Sequence, residues 1–324
     1  MAAVPPIALR TYTALRVSTV AVILGLGIAV AKEVGSADGC VQRSISAYYY
    51  TPVRSVFVGA LVAIGIVMIV LWGKTPWEDA FFNLAGMLAP VVAFVPTLDA
   101  NYCSLTTTSG TDLAETAEEH RARAETAKQA LIAANQDGVD NNFVTLMAVF
   151  AVMLAGVALW GLYERSRHPG PLTQEVVAYG LTWLAALVLW VLGVYAYLAE
   201  DSWFDRKAHS TSAIIMFVFI IAAVVAAGLE KRADPQARGF WKYLYWVLAG
   251  LMVASFLVVA AGAAIWDDTA FSEHRTFLIE AALIGLLAVF WILQTIDRRR
   301  TGAPDFAVPV QGPMDEDRPT PAPV

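Results

Sequence analysis

Histidine and cysteine are scarce in this chain, and charge is thin. Four His, two Cys and 15% charged residues stand among 324 positions. A metal hydrolase needs several His and carboxylate ligands in register, and neither H-x-x-x-H nor H-E-x-x-H is present. No G-x-S-x-G nucleophile elbow is present either. A net charge of −6 leaves no general basic surface for nucleic acid. No metal site and no cofactor is expected. No run of alternating apolar and polar residues suggests a β-barrel.

What fills the chain instead is apolar surface: 58% of residues are hydrophobic and the mean hydropathy is +0.58. Soluble domains carry about 45–50% apolar and about 25% charged residues. The excess is gathered into blocks of roughly 20 residues, the length a helix needs to cross about 30 Å of hydrocarbon. Eight blocks qualify, at Thr13–Ala31, Arg54–Trp72, Ala80–Leu98, Phe143–Tyr163, Val176–Leu198, Ser210–Leu229, Tyr243–Trp266 and Thr276–Ile296. In lipid only helices satisfy their own backbone along such a run. The expected fold is therefore all-α, a polytopic helical membrane bundle of about eight transmembrane helices. Helices 1–3 occupy residues 1–100, a helical insertion 101–142, helices 4–8 residues 143–300, and an acidic, Pro-rich tail 301–324 that reads as disordered.

Lys and Arg concentrate on the cytoplasmic side of membrane proteins. With both termini cytoplasmic, inner segments hold thirteen Lys/Arg and outer segments nine, while sixteen Asp/Glu fall outside and eleven inside. That orientation is favoured. Arg298-Arg299-Arg300 then reads as a stop-transfer anchor able to touch anionic lipid. Ala29-Val30-Ala31 after an apolar run is also compatible with a signal-peptide cleavage site.

The same topology places Cys40 and Cys103 on one oxidising face, where a disulfide is expected. In the insertion, Thr111 or Asp112 is a candidate cap for a helix reaching about Ala134, with Asp137-Gly138 as its stop. Glu119 with Arg123 and Glu125 with Lys128 stand at helical pairing distances. The insertion reads as a solvated helical hairpin, and residues 104–140 are the candidate surface for another membrane protein. Ala85/Ala89/Ala93, Gly59/Ala63 and Gly250/Ala254 are candidate close-packing faces, and Pro90 a candidate kink. Asn83 is expected to hydrogen-bond across helices.

Ionisable groups inside lipid are costly and often functional. Glu280 is the only one well inside a block, with Arg54 opening the second block and His209 preceding the sixth. Asp99, Thr51, Ser212, His274 and the run Tyr48-Tyr49-Tyr50 could join them. An Arg54–Glu280 ion pair is the natural arrangement. Two uses of it stay open: a bridge between two helices, or a ligand pocket in the outer leaflet, with catalysis a third and lesser one.

The segment Ser44-Ile45-Ser46-Ala47-Tyr48-Tyr49-Tyr50-Thr51-Pro52-Val53-Arg54-Ser55-Val56-Phe57-Val58-Gly59 resembles a pattern of uncharacterised bacterial multi-spanning membrane proteins, S-I-S-x-Y-Y-Y-T-P-x-R-D-x-F-V-G. Asn83-Leu84-Ala85-Gly86, Phe94-Val95-Pro96-Thr97, His209 with Ala213, and Glu280 with Ala281 are further echoes. Ser55 stands where that pattern has Asp. The resemblance implies a bacterial inner-membrane protein with no established activity. It also implies that the tyrosine segment, Arg54, His209 and Glu280 belong to one site.

The function this supports first is binding of a membrane lipid or amphiphile in an outer-leaflet pocket. Arg54 would attract a phosphate or carboxylate, and the tyrosines would line its rim. An accessory or scaffold subunit is the alternative. A transporter would need polar groups in the inner half of the spans, where only Asn83 is visible. An intramembrane hydrolase would need more histidines than His209 and His274.

Overall fold

The computed structural model describes residues 6–98, 103, 117–199, 202–235, 237, 239–265 and 270–298. Among them are eight α-helices and one short 3-10 helix, and no strand. They are α1 (Pro6–Ser36), the 3-10 helix (Ser46–Tyr50), α2 (Arg54–Val70), α3 (Pro76–Phe94), α4 (Ala117–Arg167), α5 (Gln174–Leu198), α6 (Ser202–Ala233), α7 (Gly239–Ile265) and α8 (Ala270–Asp297). The chain is an all-helical membrane bundle. Six of these helices are long and apolar enough to cross a membrane: α1, α4, α5, α6, α7 and α8. The second expected block forms a shorter apolar helix of 17 residues.

The third block begins earlier than hydropathy suggests. Thr75 caps α3, its hydroxyl accepting from the Glu78 amide at 3.1 Å, and Pro76 occupies the first turn. That start draws Glu78 and Asp79 into the helix, so α3 is less apolar than a plain span.

The core is built by α1, α2, α3, α6, α7 and α8. α1 contributes Ile23, Leu26 and Val30, and its end turns through Asp38 and Gly39, both at positive φ, towards Cys40. Gly tolerates that region without cost and Asp better than most residues. α2 crosses α3 where Gly65 faces Gly86. A Cβ added to Gly65 would lie 2.8 Å from the Gly86 carbonyl oxygen, and one added to Gly86 would lie 2.6 Å from that of Gly65. Ala85, Ala89 and Ala93 are buried on the same helix as expected. Among the described residues nothing packs on Gly59 or Gly250, and Ala254 is exposed.

Cys40 and Cys103 are joined by a disulfide, with Cα atoms 5.8 Å apart. The corresponding end of the bundle, called here the disulfide end, holds Ser44–Arg54, the C-terminus of α3 and the start of α8. The opposite, charged end holds the start of α3 and the C-termini of α6 and α8.

Helix α4 runs unbroken for 51 residues, about 76 Å at 1.5 Å per residue. Asp137-Gly138 does not stop it, and residues 117–142 of the insertion continue the same helix. A Gly inside a helix costs only about 1 kcal/mol against Ala, and the hydrogen-bonded turns on both sides outweigh it. The Lys128–Glu125 pair forms at 4.0 Å. Thr111, Asp112, Asp99 and the tail from 299 onward lie outside the described residues.

Candidate functional site

At the disulfide end, Glu280 projects from α8 and accepts from the Ile45 amide at 2.5 Å, with Ser46 as a further partner. Ser44 Oγ accepts from the Ala47 amide at 3.1 Å and lies 3.1 Å from Ser46 Oγ. Ser44-Ile45-Ser46 and Glu280 together cap the N-terminus of the 3-10 helix, where a carboxylate meets unsatisfied amides favourably. The Phe277 amide adds a bond to the Arg43 carbonyl at 2.9 Å, stitching the loop to α8.

Arg54 does not pair with Glu280. Its Nη1 donates to Asn135 Oδ1 at 2.7 Å, its Nη2 to the Tyr49 hydroxyl, and its guanidinium lies 4.0 Å from the Tyr49 ring centre. The ion pair expected from the sequence is replaced because α4 brings Asn135 to Arg54, while the 3-10 amides occupy Glu280. Gly138 stands one turn beyond Asn135, and a Cβ there would sit 4.0 Å from Arg54 Nη2. A small residue keeps that face of α4 open to the guanidinium.

The three tyrosines point to different places. Tyr48 accepts from the Gln42 amide at 3.4 Å and packs on Phe277. Tyr49 holds Arg54, and Tyr50 donates to the Thr97 carbonyl at 3.1 Å. Tyr48 and Tyr49 are each 1% exposed, so they are buried pins and not the rim of a pocket. Burial pushes the Tyr50 hydroxyl up to about 12, with a smaller push from Tyr49 and opposition from Arg54.

His209 is also buried, its Nδ1 2.6 Å from the Val95 carbonyl at the end of α3. The helix end leaves the Val95 carbonyl without a helical partner, and Pro96, which has no N–H, leaves that of Val92, a further neighbour of His209, without one as well. His209 thus ties α6 to α3 and contacts neither Arg54 nor Glu280 among the described bonds.

What Glu280 and Ser46 do share is a cavity of about 50 Å³. It runs through the bundle from these two residues between α1, α2, α3, α6 and α8 as far as Met68. Leu26, Phe57, Leu61, Ile64, Ala213, Met216, Ile220 and Leu287 line it, and among the described residues Ser46 and Glu280 are its only polar side chains.

A second polar cluster lies at the charged end, and sequence reading missed it. Glu78 is 1% exposed and receives Arg298 in a two-point bond, Nη1 to Oε1 at 3.0 Å and Nη2 to Oε2 at 2.8 Å. Gln294 adds a bond to Oε1 at 2.7 Å, and the Lys74 amide one to Oε2 at 3.1 Å. Burial alone would lower the Arg298 proton affinity, and the Glu78 carboxylate more than reverses it. Lys74 pairs with Glu230 at 2.8 Å and Lys231 with Asp297 at 3.0 Å, while Tyr245 donates to Asp297 at 3.1 Å. Asp79 accepts from the Gly73 amide and from Asn83, both at 3.2 Å. Asn83 therefore bonds within its own helix, and Arg298 is a buried partner of α3 instead of a lipid-facing anchor. Trp291 is 1% exposed, in the core.

The missed signal was present as spacing. Glu280, Ile284, Leu287, Trp291, Gln294 and Arg298 recur at steps of four and three, one stripe of α8. Arg16, Thr19, Ile23, Leu26 and Val30 form the matching stripe of α1. A polar residue in register with the core side of a helix is buried with it.

No group of three or more His, Cys, Asp or Glu suited to a metal ion occurs among the described residues. Comparison of the chain with protein families, with curated proteins and with solved structures gives no match.

Proposed function

We propose that this protein binds the apolar chain of a membrane amphiphile in the central cavity, with the head group at Glu280 and Ser46. The single observation that carries the reading is the lining: apolar along its length, with a carboxyl and a hydroxyl at one end only. Apolar cavities stay dry and take up apolar guests, and ligand sites characteristically add a few polar groups to fix orientation. Glu280 offers acceptor oxygens, so a head group bearing O–H or N–H suits it. An anionic head group is disfavoured, because Arg54 is committed to Asn135 and Tyr49. The volume of about 50 Å³ favours a short alkyl segment over a whole lipid.

In this reading the disulfide end faces the oxidising, extracytoplasmic side of a bacterial cell membrane and both termini face the cytoplasm. The cavity mouth then belongs to the outer leaflet.

Transport gains one point from the structure, since Glu78, Asp79, Gln294 and Arg298 supply buried polar groups at the charged end. The stretch from Ile64 to Met68 and Leu287 between them and Glu280 remains apolar, and it breaks any polar path. Binding is the better reading.

Native mass spectra of the detergent-purified chain test it. Ala213→Phe, which fills the cavity, should abolish an amphiphile adduct that parent and Arg54→Ala both retain. Equal occupancy in parent and Ala213→Phe would contradict it.

A further inference from the structure

The central cavity ends on a carboxyl group that no cation of the described chain answers. Glu280 accepts from the Ile45 amide at 2.5 Å and from the amide and hydroxyl of Ser46, and no Lys, Arg or His is among its described partners. Arg54, Arg43 and His209 stand at the same end and are engaged elsewhere. Arg54 holds Asn135 and Tyr49, Arg43 faces Glu273 at 3.9 Å, and His209 is bonded to the Val95 carbonyl. Among the described residues no basic side chain lines the cavity. A carboxylate taken out of water is costly unless a cation pairs with it. The 3-10 helix it caps, five residues long, sets only a partial charge against it.

Acceptor sites remain open at the same place. A carboxylate has about four acceptor positions. Two amides and one hydroxyl occupy three of those on Glu280, which leaves one for a group in the cavity it lines. Ser46 gives its proton to Glu280, so the proton between Ser44 Oγ and Ser46 Oγ, 3.1 Å apart, comes from Ser44. One lone pair of Ser46 Oγ is then unused. Two idle acceptors, one of them charged, meet at one end of an otherwise apolar cavity.

We infer that the amphiphile held by this cavity is a primary alkylammonium, its nitrogen between Glu280 and Ser46 and its chain directed towards Met68. The inference rests on the amphiphile reading and adds the charge and the donor count of the head group. A primary ammonium is compact, brings the missing positive charge and carries three N–H donors for the two idle acceptors. Hydrogen bonds between charged partners are roughly twice as strong as neutral ones. An alcohol of the same length offers one proton and no charge. A quaternary ammonium has the charge and no N–H, and its methyl groups hold that charge away from the oxygens. Like a lysine side chain, an alkylamine is protonated at neutral pH.

The test uses the full chain, purified in detergent, with thermal unfolding at neutral pH as the readout. The probes are n-hexylamine, n-hexanol and hexyltrimethylammonium. In the parent, n-hexylamine should half-saturate at about one tenth of the n-hexanol concentration or less, and hexyltrimethylammonium should bind no better than n-hexanol. Ala213→Phe, which fills the cavity, should lose the response to all three, separating binding there from partition into the micelle. Glu280→Gln keeps an acceptor and removes the charge, and it should bring n-hexylamine down to the level of n-hexanol. Where Glu280→Gln does not fold, the comparison of primary with quaternary ammonium in the parent carries the same information. Equal responses to amine and alcohol, both lost in Ala213→Phe, would overturn the ammonium and leave the amphiphile reading standing. An amine advantage that persists in Glu280→Gln, or that the quaternary ammonium shares, would overturn it too. If no probe distinguishes the parent from Ala213→Phe, both readings fall.

Discussion

Glu280 serves two neighbours with one carboxyl. It terminates the amides at the start of Ser46–Tyr50 and forms the polar end of the cavity. Deleting it leaves a buried amide without an acceptor, which typically costs about 1–3 kcal/mol. Glu280→Ala should therefore lower the thermal midpoint in detergent, and Glu280→Gln, which keeps an acceptor oxygen, should lower it less. Equal loss in the two would argue that charge, not capping, is what Glu280 supplies. Tyr50 gives a pH signature. Its hydroxyl ordinarily titrates near 10 and is raised to about 12 by burial, so the fold prefers the neutral phenol. Its contribution is complete below pH 10 and is lost as pH rises towards 12. Tyr50→Phe should lower stability at neutral pH through the lost Thr97 bond, yet show a shallower decline between pH 10 and 12. Circular dichroism of alkaline unfolding measures both, and parallel declines would contradict the assignment.

At the scale of helices, hydropathy reveals where elements lie and says little about how they face one another. The eight apolar blocks correspond to the eight helices, and the all-helical bundle follows from them. Their polar residues were harder to place. Arg54 and Glu280 were legible as unusual, but their separation depends on Asn135, far along the chain on a helix whose length Gly138 seemed to limit. Glu78, Asp79 and Arg298 looked like loop residues because they flank the blocks. The Thr75-Pro76-x-Glu78 start and the stripe of α8 carried the correct information. Close packing shows the same contrast. Gly65 and Gly86 lie within apolar runs and no spacing singles them out, yet they set the α2–α3 crossing. Gly86→Leu should cost about 1–3 kcal/mol or more by overpacking against backbone, while Gly59→Leu, facing open space, should be near neutral. Comparable losses at both positions would show that the crossing is not close.

For the whole molecule, the two ends are fastened by different means. The disulfide closes a separation of 63 residues, and cross-links of that reach contribute about 2–4 kcal/mol. Cys40→Ser with Cys103→Ser should destabilise the chain by that order in thermal unfolding, and the parent should match the variant once reduced. The charged end depends on Glu78. Glu78→Ala strands Arg298 in the core and should cost about 3–5 kcal/mol, more than loss of the exposed Lys128–Glu125 pair on α4. Between these fastenings lies the apolar cavity on which the functional reading rests. The most direct measurement is photolabelling of the reconstituted protein with a short-chain alcohol carrying a diazirine at its methyl end, mapped by peptide sequencing. Binding in the cavity predicts adducts on Phe57, Leu61, Ile64, Met216 or Ile220, lost in Ala213→Phe. Adducts confined to lipid-facing positions such as Leu159 and Leu192, unchanged by Ala213→Phe, would contradict it.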